Sequence, residues 1–501
     1  MRFLVLFFVS FASASNIFYI SNIPSPSHHL WHMAIISGLN AKGHNVTFFD
    51  PYDSKNKETE LFHPVFFECP SFVEEFQDIS KLGIYDSFQF FYQAQKDLCK
   101  NLFEAENLKN LIISNKFDAL IMDITAPCSA YMSQAFPEIP IIGAVPFLLP
   151  PELSHIFGNN LQPAYLPHYF SGFSSEMNFM ERVKNFLLTY YGEVGYYSYS
   201  KDFEELGRIM FGSDLKPFSE NVKRVSLLLS NTNPVFDNPQ PLPPNIIPVG
   251  GLHARPGRKL EKDLEDLLNR SSNGVIVFSL GSNVKSSALG TKKIQIFLEA
   301  FKQLKQTVIW KFESDLKDLP KNVFIKKWLP QNDIIAHSNV KVFMGHGGAL
   351  STQEAFYHGV PVIGIPFFFD QHVNVKSLVE RKQGLKIDIN NLSKEAVLNT
   401  ILEVLNNPIY KENVQEVSKR FKDQPMTPLD SSVFWIEYAI KHNGTSFHDL
   451  KSRDMSFLEF TCLDVLLFLL FVTMLFITLV YYIILVILKL IFRKSNKNKI
   501  E

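Results

Sequence analysis

The chain has 501 residues and a formal net charge of −1, which is enough for two domains of ordinary size with additional segments. Hydrophobic residues make up 46% of the sequence and charged residues 20%, a composition typical of a globular protein that also carries membrane-embedded sequence. A charge this close to zero argues against a nucleic-acid-binding protein, so no nucleic-acid partner is predicted.

The first fifteen residues have the pattern of a signal peptide. Arg2 precedes an apolar run at residues 3–11, and the small residues 12–14 follow. The run is too short to span a bilayer comfortably. We therefore expect residues 1–15 to be removed, with the mature chain on the lumenal side of a membrane.

The chain contains four cysteines, and none has the short paired spacing of a zinc or CxxC site. Cys462 lies beside an apolar segment, which leaves Cys69, Cys99 and Cys128 in the main body. An oxidising lumen permits one disulfide, but the sequence does not choose the pair. Buried free thiols are the favoured interpretation.

Four Asn-x-Ser/Thr sequons predict a glycoprotein. They begin at Asn45, Asn269, Asn391 and Asn443. Asn45 opens a predicted buried strand, so it is the least suited of the four to carry a glycan.

The first elements predict a βαβ unit. Residues 16–21 form a strand, a Pro/Ser loop leads to a helix capped by Ser27, and the helix ends at Lys42–Gly43. Residues 46–49 form the next strand. His28, His29 and His32 lie near the helix start, where the dipole favours a neutral imidazole suited to a general base. Any one of them, taken alone, also fits a surface or capping role.

Residues 117–123, FDALIMD, predict a buried strand that ends in the carboxylate of Asp123. Asp123 is a candidate functional carboxylate, and it also fits a cap of the following helix. Asp118 is a less favoured candidate for the functional carboxylate because it lies at the start of the strand. Residues 150–199 are rich in aromatic, Leu and Met residues, which favours either the lining of an apolar acceptor cleft or plain core.

A domain boundary is predicted within residues 237–248, DNPQPLPPNIIP, because the prolines preclude regular structure and make a semi-rigid connector. We therefore expect an N-terminal domain at residues 16–245 and a C-terminal domain at residues 246–445.

The C-terminal domain offers two further candidate segments. Residues 274–282 predict a buried strand that runs into a tight loop, where Ser282 and backbone N–H groups suit a phosphate. Residues 328–331, WLPQ, follow another strand. The indole of Trp328 suits the face of a base, although a lone Trp is more often part of a core.

Residues 340–371 predict strand, glycine loop, helix, strand and second loop. The strand covers residues 340–344, and the glycines around His346 allow a sharp turn. The helix covers residues 349–358 and stops at Gly359. The next strand, residues 360–365, ends at a proline.

This arrangement suits a nucleotide sugar. The helix N-terminus is able to hold a diphosphate. Ser351 and Glu354 share one helix face, so a hydroxyl reaches a phosphate while a carboxylate accepts from a ribose. Asp370 and Gln371 lie beyond the carboxyl end of a strand, where open parallel sheets bind ligands. On the glycines alone, an ordinary βαβ unit is an equally good interpretation.

Residues 346–371, HGGALSTQEAFYHGVPVIGIPFFFDQ, closely resemble the signature of the UDP-glycosyltransferases, the membrane-bound family that includes the UDP-glucuronosyltransferases. Residues 159–185, 249–253 and 418–444 also resemble this family, so the likeness covers nearly the whole mature chain. It implies an α/β fold of the GT-B type, in which two doubly wound Rossmann-like domains face a cleft. The first binds the acceptor and the second binds the UDP-sugar.

The resemblance selects one histidine as the catalytic base. The family's histidine follows a small residue and lies fifteen positions before the glycine of a Gly-His pair, and counting back from Gly43 gives His28. Asp123 corresponds to the aspartate that orients this histidine and stabilises its imidazolium form. His29 and His32 remain rivals on chemistry alone.

The resemblance also assigns the UDP-sugar site. Trp328 stacks on uracil, Gln331 bonds nearby polar groups and Glu354 bonds the ribose. His346, Gly348 and Ser351 contact the diphosphate, and Asp370 and Gln371 contact the sugar. Ser282 remains a phosphate candidate from its own strand and loop, not from the resemblance. Leu350 departs from the asparagine usual in vertebrate glucuronosyltransferases, which favours UDP-glucose slightly over UDP-glucuronate.

Residues 463–488 are nearly all apolar and long enough to cross a bilayer of about 30 Å. Basic residues follow in the tail at residues 489–501, so the positive-inside rule predicts a cytosolic C-terminus. Lys497 and Lys499 resemble a dilysine-type retrieval signal, although a basic stop-transfer tail explains the charges equally well. We expect a single-pass type I protein of the endoplasmic reticulum membrane with lumenal domains.

These features predict an inverting glycosyltransferase that moves glucose or glucuronic acid from a UDP-sugar to a hydroxyl of a small lipophilic acceptor, as in detoxification. Alternatives are glycosylation of an endogenous lipid or sterol, and a non-catalytic UDP-sugar-binding membrane protein. The sequence contains no GxGxxG, Walker A or clustered acidic motif, so neither a metal nor another cofactor is implied. A homo-oligomer is compatible with this prediction.

Overall fold

The computed structural model describes residues 14–69 and 83–497. Most of the predicted signal peptide and the end of the basic tail, including Lys499, lie outside the described residues. The chain divides into two compact units, Met1–Asp449 and Leu450–Glu501. Each unit is described by itself.

The first half of the larger unit contains a parallel sheet of seven strands in the order β3-β2-β1-β4-β5-β6-β7. Its strands are β1 (Asn16–Ile20), β2 (Asn45–Asp50), β3 (Phe62–Phe66), β4 (Ala119–Asp123), β5 (Ile141–Val145), β6 (Val225–Ser230) and β7 (Ile246–Pro248). Helices cover both faces of the sheet, as parallel sheets require. Alternate residues of β1 divide between two cores, with Phe18 and Ile20 in one and Ile17 and Tyr19 in the other.

The helices of this half, in chain order, are α1 (Pro26–Ala41), α2 (Ile84–Glu104), α3 (Glu106–Ser114), α4 (Pro151–Ile156), α5 (Phe179–Phe211) and α6 (Phe218–Lys223). The segment Pro127–Ala135 is a 3₁₀-helix. A capping box at Asn178 begins α5, in which the Asn178 side chain accepts from the Glu181 N–H and the Glu181 side chain accepts from the Asn178 N–H.

The second half contains a parallel sheet of six strands in the order β10-β9-β8-β11-β12-β13. Its strands are β8 (Val275–Ser279), β9 (Thr307–Lys311), β10 (Val323–Lys326), β11 (Val340–Gly345), β12 (Val362–Gly364) and β13 (Gly384–Lys386). Its helices are α7 (Lys262–Arg270), α8 (Thr291–Phe301), α9 (Gln331–Ile335), α10 (Ala349–Tyr357), α11 (Asp370–Glu380), α12 (Lys394–Asn406), α13 (Pro408–Lys422) and α14 (Pro428–Lys441).

Both sheets reverse their strand order once. In the first sheet the reversal lies between β1 and β4, and in the second it lies between β8 and β11. At such a point neighbouring connections leave in opposite directions, which opens a crevice at the carboxyl ends of the strands. The loops that carry most of the predicted site residues leave the sheets at these two points.

Two details of the predicted boundaries are wrong. The cap of α1 is Ser25, not Ser27, because the helix begins at Pro26, where a proline costs no hydrogen bond. The prolines of residues 237–248 do not preclude structure throughout, since Ile246–Pro248 pairs with β6. Pro248 ends an edge strand, where a missing N–H is tolerated. The first sheet therefore extends three residues past the predicted boundary at 245.

The last helix of the second half returns onto the first half. Helix α14 packs against α1, and Val433, Ile436 and Ala439 join the core that contains Ile35 and Trp31. The Thr445 hydroxyl donates to the carbonyl of Ser226 at 2.6 Å. The last helices of the second half therefore help to hold the two halves together.

The interpretation of the main-body cysteines as free thiols is wrong for two of them. Cys99 on α2 and Cys128 in the 3₁₀-helix form a disulfide across a sequence separation of 29 residues. Cys69 is free and half-buried, and burial raises the pKa of its thiol to about 11. No spacing of the cysteines along the chain identifies this pair.

The smaller unit, residues 450–501, contains α15 (Phe457–Phe460) and α16 (Leu463–Lys497). Residues Leu463–Phe492 are long and apolar enough to cross a membrane. This agrees with the predicted apolar helix at residues 463–488, which the structure extends at its C-terminal end.

Candidate active site

A cavity in the larger unit lies between the carboxyl ends of the two sheets and encloses about 1290 Å³, open solvent included. The first half contributes His28 and a group of aromatic side chains to its wall. The second half contributes the loops after β8, β11 and β12. Seven of the eleven predicted site residues line this cavity: His28, Ser282, His346, Gly348, Ser351, Asp370 and Gln371.

His28 is bonded to Asp123 beneath the cavity wall. Nδ1 of His28 lies 2.8 Å from Oδ2 of Asp123, which is fully buried. Nε2 of His32 lies 3.0 Å from the same oxygen, and the Thr125 N–H donates to Oδ1 at 2.9 Å. Asp123 therefore accepts on both of its oxygens and holds two imidazoles at once.

The charge of Asp123 fixes the protons in this network. Burial raises the pKa of the Asp123 carboxyl, but the charge of His28 and the hydrogen bonds from His28 and His32 outweigh it and hold the pKa below its usual range. An ionised carboxylate only accepts, so His28 donates from Nδ1 and His32 from Nε2. Nε2 of His28 takes no part in this network, and His28 lines the cavity.

Tyr19 completes the network behind His32. Its hydroxyl lies 2.8 Å from Nδ1 of His32. Burial lowers the pKa of His32 and, with the nearby charge of Asp123, raises the pKa of Tyr19. The phenol therefore donates to a neutral His32, and Tyr19, His32 and Asp123 are all hydrogen-bonded within the network.

The competing candidates occupy other places. Nδ1 of His29 lies 2.7 Å from Oδ2 of Asp50, and His29 does not line the cavity. Asp118 accepts from the Asn16 N–H at 2.7 Å, at the start of β1 and away from the cavity. His32 shares Asp123 but is fully buried. Of these histidines, His28 is the one on the cavity wall.

Two imidazoles and one carboxylate also form a chemically reasonable set of metal ligands. The ligand atoms of His28, His32 and Asp123 lie within 4.8 Å of one another. Both imidazoles are hydrogen-bonded to a single carboxylate oxygen, so a metal ion would have to displace those bonds. The prediction that no metal is needed stays a prediction.

His346 is enclosed by the loops after β8 and β11. A Cβ at Gly281 would lie 2.5 Å from Cε1 of His346, and a Cβ at Gly348 would lie 2.3 Å from its Nε2. Only glycine at both positions leaves room for the ring. Burial and the charge of Lys311 lower the pKa of His346 to about 4, so the imidazole is neutral near pH 7. Its Nδ1 is buried without a hydrogen-bond partner.

Helix α10 begins beside this histidine with Gly348 as its cap. Ser351 in its first turn and Ser282 in the loop after β8 both line the cavity and are half-buried. Two hydroxyls, a neutral imidazole and the N-terminus of a helix therefore surround one part of the cavity. This is a suitable environment for a phosphate group.

Asp370 and Gln371 open α11. Burial raises the pKa of Asp370 to about 6. A hydrogen bond from Asn374 and the charge of His28 lower the pKa but do not outweigh burial. His28 in one half thus acts electrostatically on Asp370 in the other. The Gln371 side-chain oxygen accepts from the N–H groups of Phe367 and Phe368 at 2.9 and 3.3 Å, which leaves its amide nitrogen to donate.

Besides Asp123, three predicted residues lie outside the cavity wall. Nε2 of Gln331 donates to Glu354 at 2.6 Å, so these two side chains are brought together. Burial raises the pKa of Glu354 to about 7. Trp328 is 58% exposed, and Nζ of Lys311 lies 5.5 Å from its ring centroid. The indole is therefore accessible and not part of a core.

Sequence reasoning missed several residues of this site. Nδ2 of Asn374 donates to Oδ2 of Asp370 at 2.8 Å and to the carbonyl of Gly347 at 3.0 Å. The spacing of four residues from Asp370 on one helix was an available signal. Asn283 bonds the Ser25 hydroxyl in the other half, and no local pattern predicts such a contact.

The aromatic wall was only partly predicted. Tyr169, from the aromatic segment at residues 150–199, lines the cavity, but Phe90 and Phe91 come from α2, which was not singled out. Phe369 of the second half packs on Phe91, with ring centroids 5.5 Å apart. Phe369 also has a φ of 52°, a strained conformation for a bulky residue and one that concentrates at ligand sites.

Known proteins resemble this chain over most of its length. Residues 27–498 match the family described as UDP-glucoronosyl and UDP-glucosyl transferase. The chain is 35% identical over 455 residues to UDP-glucosyltransferase 2 of Dactylopius coccus, covering 87% of this chain and 86% of that protein. It is 34% identical over 388 residues to UDP-glucuronosyltransferase 2B15 of Homo sapiens, covering 76% and 72% respectively.

Solved structures share the fold. The glycotransferase of kitacinnamycin has a TM-score of 0.59 and 17% identity, covering 86% of this chain and 99% of that chain. A UDP-glucosyltransferase from Polygonum tinctorium has a TM-score of 0.56 and 16% identity, covering 85% and 99%. With the two parallel sheets, these neighbours confirm the predicted GT-B fold. The chain therefore belongs to the family of UDP-glucuronosyl and UDP-glucosyl transferases, and it is a glycosyltransferase that transfers a hexosyl group from a UDP-sugar.

Proposed function

We propose that this enzyme transfers the sugar in one in-line displacement that inverts the anomeric centre. Nε2 of His28 removes the proton from an acceptor hydroxyl as that oxygen attacks the anomeric carbon. The bond to the UDP oxygen breaks in the same step, so an α-linked donor gives a β-glycoside. The observation that carries this proposal is the His28–Asp123 pair, at 2.8 Å, on the wall of a cavity that Asp370 also lines.

Asp123 keeps the base in the productive tautomer and stabilises the imidazolium that forms. The network of Tyr19 and His32 holds Asp123 in place from behind. A buried base whose partner is already fixed needs little reorganisation during the reaction.

The second half holds the donor and the leaving group. The N-terminus of α10, with Ser282, Ser351 and neutral His346, stabilises the negative charge that develops on UDP. Glu354, with Gln331, accepts from the ribose hydroxyls. Asp370 and the Gln371 amide nitrogen bond the hydroxyls of the sugar, and Trp328 stacks on uracil.

The acceptor is a small lipophilic alcohol or phenol, as suits a detoxification enzyme. The part of the cavity next to His28 is lined by apolar side chains, including Phe90, Phe91, Leu98 and Phe147. Binding sites for such compounds are mostly apolar with a few polar groups that fix orientation. The donor is UDP-glucose by preference, because Leu350 on the cavity wall lacks an amide that would bond a carboxylate.

The protein is anchored in the endoplasmic reticulum membrane by the apolar helix Leu463–Phe492, with its catalytic halves in the lumen. The apolar length of this helix and the basic residues after it support this orientation. The Cys99–Cys128 disulfide is consistent with an oxidising compartment.

The test is donor use together with product configuration. Microsomes that contain the chain receive a panel of small phenols with UDP-glucose and UDP-glucuronate in parallel, and products are followed by mass. We expect transfer from UDP-glucose, with a β configuration given by the coupling constant of the anomeric proton. An α-glycoside would contradict the single displacement, and transfer from UDP-glucuronate alone would contradict the donor preference.

A further inference from the structure

A second chamber adjoins the acceptor side of the cavity. It shares Phe91, Gln95, Thr125, Phe147 and Tyr169 with the cavity wall. Its remaining walls are largely aromatic, and about 550 Å³ of space lies within it, open solvent included. Glu152, on the short helix α4, is part of its lining.

Glu152 is a buried carboxylate with little compensation. It is 4% exposed, and its Oε2 has no hydrogen-bond partner. Its Oε1 lies 3.1 Å from Nε2 of His168. The Phe170 N–H donates to Nδ1 of His168 at 3.2 Å, so Nδ1 is an acceptor and the ring proton is on Nε2. Glu152 is therefore bonded to the N–H of an imidazole whose other nitrogen carries no proton.

Among the residues that the structure describes, no lysine or arginine pairs with Glu152. Lys96, whose Nζ lies 5.7 Å from the centroid of Tyr92 in the chamber wall, is itself paired with Asp202. Burial and the charge of Glu152 raise the pKa of the neighbouring Glu193 to about 8. Near pH 7 the neighbouring Glu193 is therefore protonated.

The fold makes room for Glu152. A Cβ at Gly192, in the interior of α5, would lie 2.2 Å from Oε1 of Glu152 and 3.1 Å from Nε2 of His168. Glycine in a helix interior is less favourable than alanine. A buried carboxylate without a full set of partners also costs stability. The helix-interior glycine and the partly bonded carboxylate both lower stability, and they occur together in the chamber wall. This pattern is expected of a side chain that binds a ligand.

We propose that this chamber binds the basic end of the acceptor, so that the preferred acceptors are lipophilic amines that carry a hydroxyl. The inference rests on the proposed function, in which the hydroxyl lies at His28. The aliphatic or aromatic body of the acceptor lies against the apolar side chains that line both spaces, Phe91, Phe147 and Tyr169. The ammonium group lies among the aromatic rings beside Glu152. Aromatic faces and a buried carboxylate together favour organic cations.

The test uses matched acceptors that differ only in charge. One series is 4-(ω-aminoalkyl)phenols with two to six methylenes, and the other is 4-alkylphenols of equal length. With the unaltered enzyme we expect one or more ammonium compounds to have a KM at least tenfold below that of the neutral partner. Glu152→Gln removes this difference while the KM and kcat of the neutral series change less than about twofold. Glu205→Gln, an exposed site on α5, is the matched control and keeps the difference.

A second measurement separates this inference from the proposed reaction. 4-Phenylbutylamine has no hydroxyl to glycosylate, and its dissociation constant is measured by calorimetry. We expect about tenfold weaker binding to Glu152→Gln than to the unaltered enzyme, and an intermediate loss in Glu152→Asp, which keeps the charge if the glutamine variant fails to fold. Equal binding of the amine to all variants, or equal KM values within every matched pair, would overturn the inference. Amine binding without any transfer would instead contradict the proposed reaction.

Discussion

Both halves of the larger unit contain a parallel sheet whose strand order reverses once, but their polar groups are hydrogen-bonded to different extents. At the reversal point of the first sheet, Tyr19, His32, Asp123 and His28 form one continuous chain of hydrogen bonds. In the second half, by contrast, Nδ1 of His346 is buried without a partner, and Glu354 and Asp370 each have one side-chain partner, Gln331 and Asn374. These groups have lost water without a full set of partners.

This difference in hydrogen bonding matches the two proposed roles, a general base in the first half and a donor site in the second. A base must be held in one tautomer before the substrate arrives, so its partners belong to the protein. A donor site gains its partners from the ligand, so its groups are buried but only partly bonded beforehand. In the first half we therefore expect substitutions to lower kcat, and in the second half to raise the KM for the donor.

The largest expected effect is that of Asp123→Asn on kcat. The amide nitrogen would face the imidazole N–H groups that now donate to the carboxylate, so the tautomer of His28 would no longer be fixed. We expect kcat to fall about 10³-fold with the dissociation constant of UDP unchanged. Asp118→Asn is the control, because Asp118 bonds the Asn16 N–H away from the cavity. A kcat reduced less than about tenfold would remove Asp123 from the mechanism.

A smaller effect is expected from the disulfide, which is confined to the first half. Cys99→Ala combined with Cys128→Ala opens a loop of 29 residues, which lowers the free energy of unfolding by about 3 kcal/mol. This corresponds to about 10²-fold in the folding equilibrium. Denaturant unfolding measures the change, and Cys69→Ala, which removes a free thiol, is the control. Equal midpoints for all three proteins would show that the bond contributes little.

The smallest effect is the pH dependence of donor binding. Asp370 has a pKa of about 6 because burial disfavours its ionised form. Below that pH it is protonated, and above it the carboxylate accepts from sugar hydroxyls, so binding strengthens as pH rises. We expect the donor KM to fall about tenfold between pH 5 and 7. Glu354, with a pKa of about 7, adds to this change, and Asp370→Asn weakens the dependence. An identical pH profile for Asp370→Asn would exclude Asp370 as its source.

Much of the fold was predictable because both sheets are built from short apolar runs separated by turn residues. The strand at residues 340–344 and the helix at residues 349–358 lie within one residue of the observed β11 and α10 at each end. Ile246–Pro248 was missed because proline is excluded from central strands and the sequence does not reveal that this strand is at an edge.

The site was predictable where one motif carries its residues and not where distant elements meet. His346, Ser351 and Asp370 belong to one continuous motif, and all three line the cavity. The Cys99–Cys128 bond, the contact of Phe91 with Phe369 and the buried position of Glu152 each depend on how separate elements pack. Pairings of this kind are set by tertiary structure and leave no local pattern.

In this account the first half holds the base and the second half binds UDP. The most direct test is His28→Ala, with turnover and UDP binding measured in the same preparation. His29→Ala is the control, since His29 is on the same helix but bonds Asp50 and does not line the cavity. We expect His28→Ala to lose about 10³-fold in kcat and to bind UDP as the unaltered enzyme does. A fully active His28→Ala enzyme, or one that loses UDP binding and turnover together, would contradict the account.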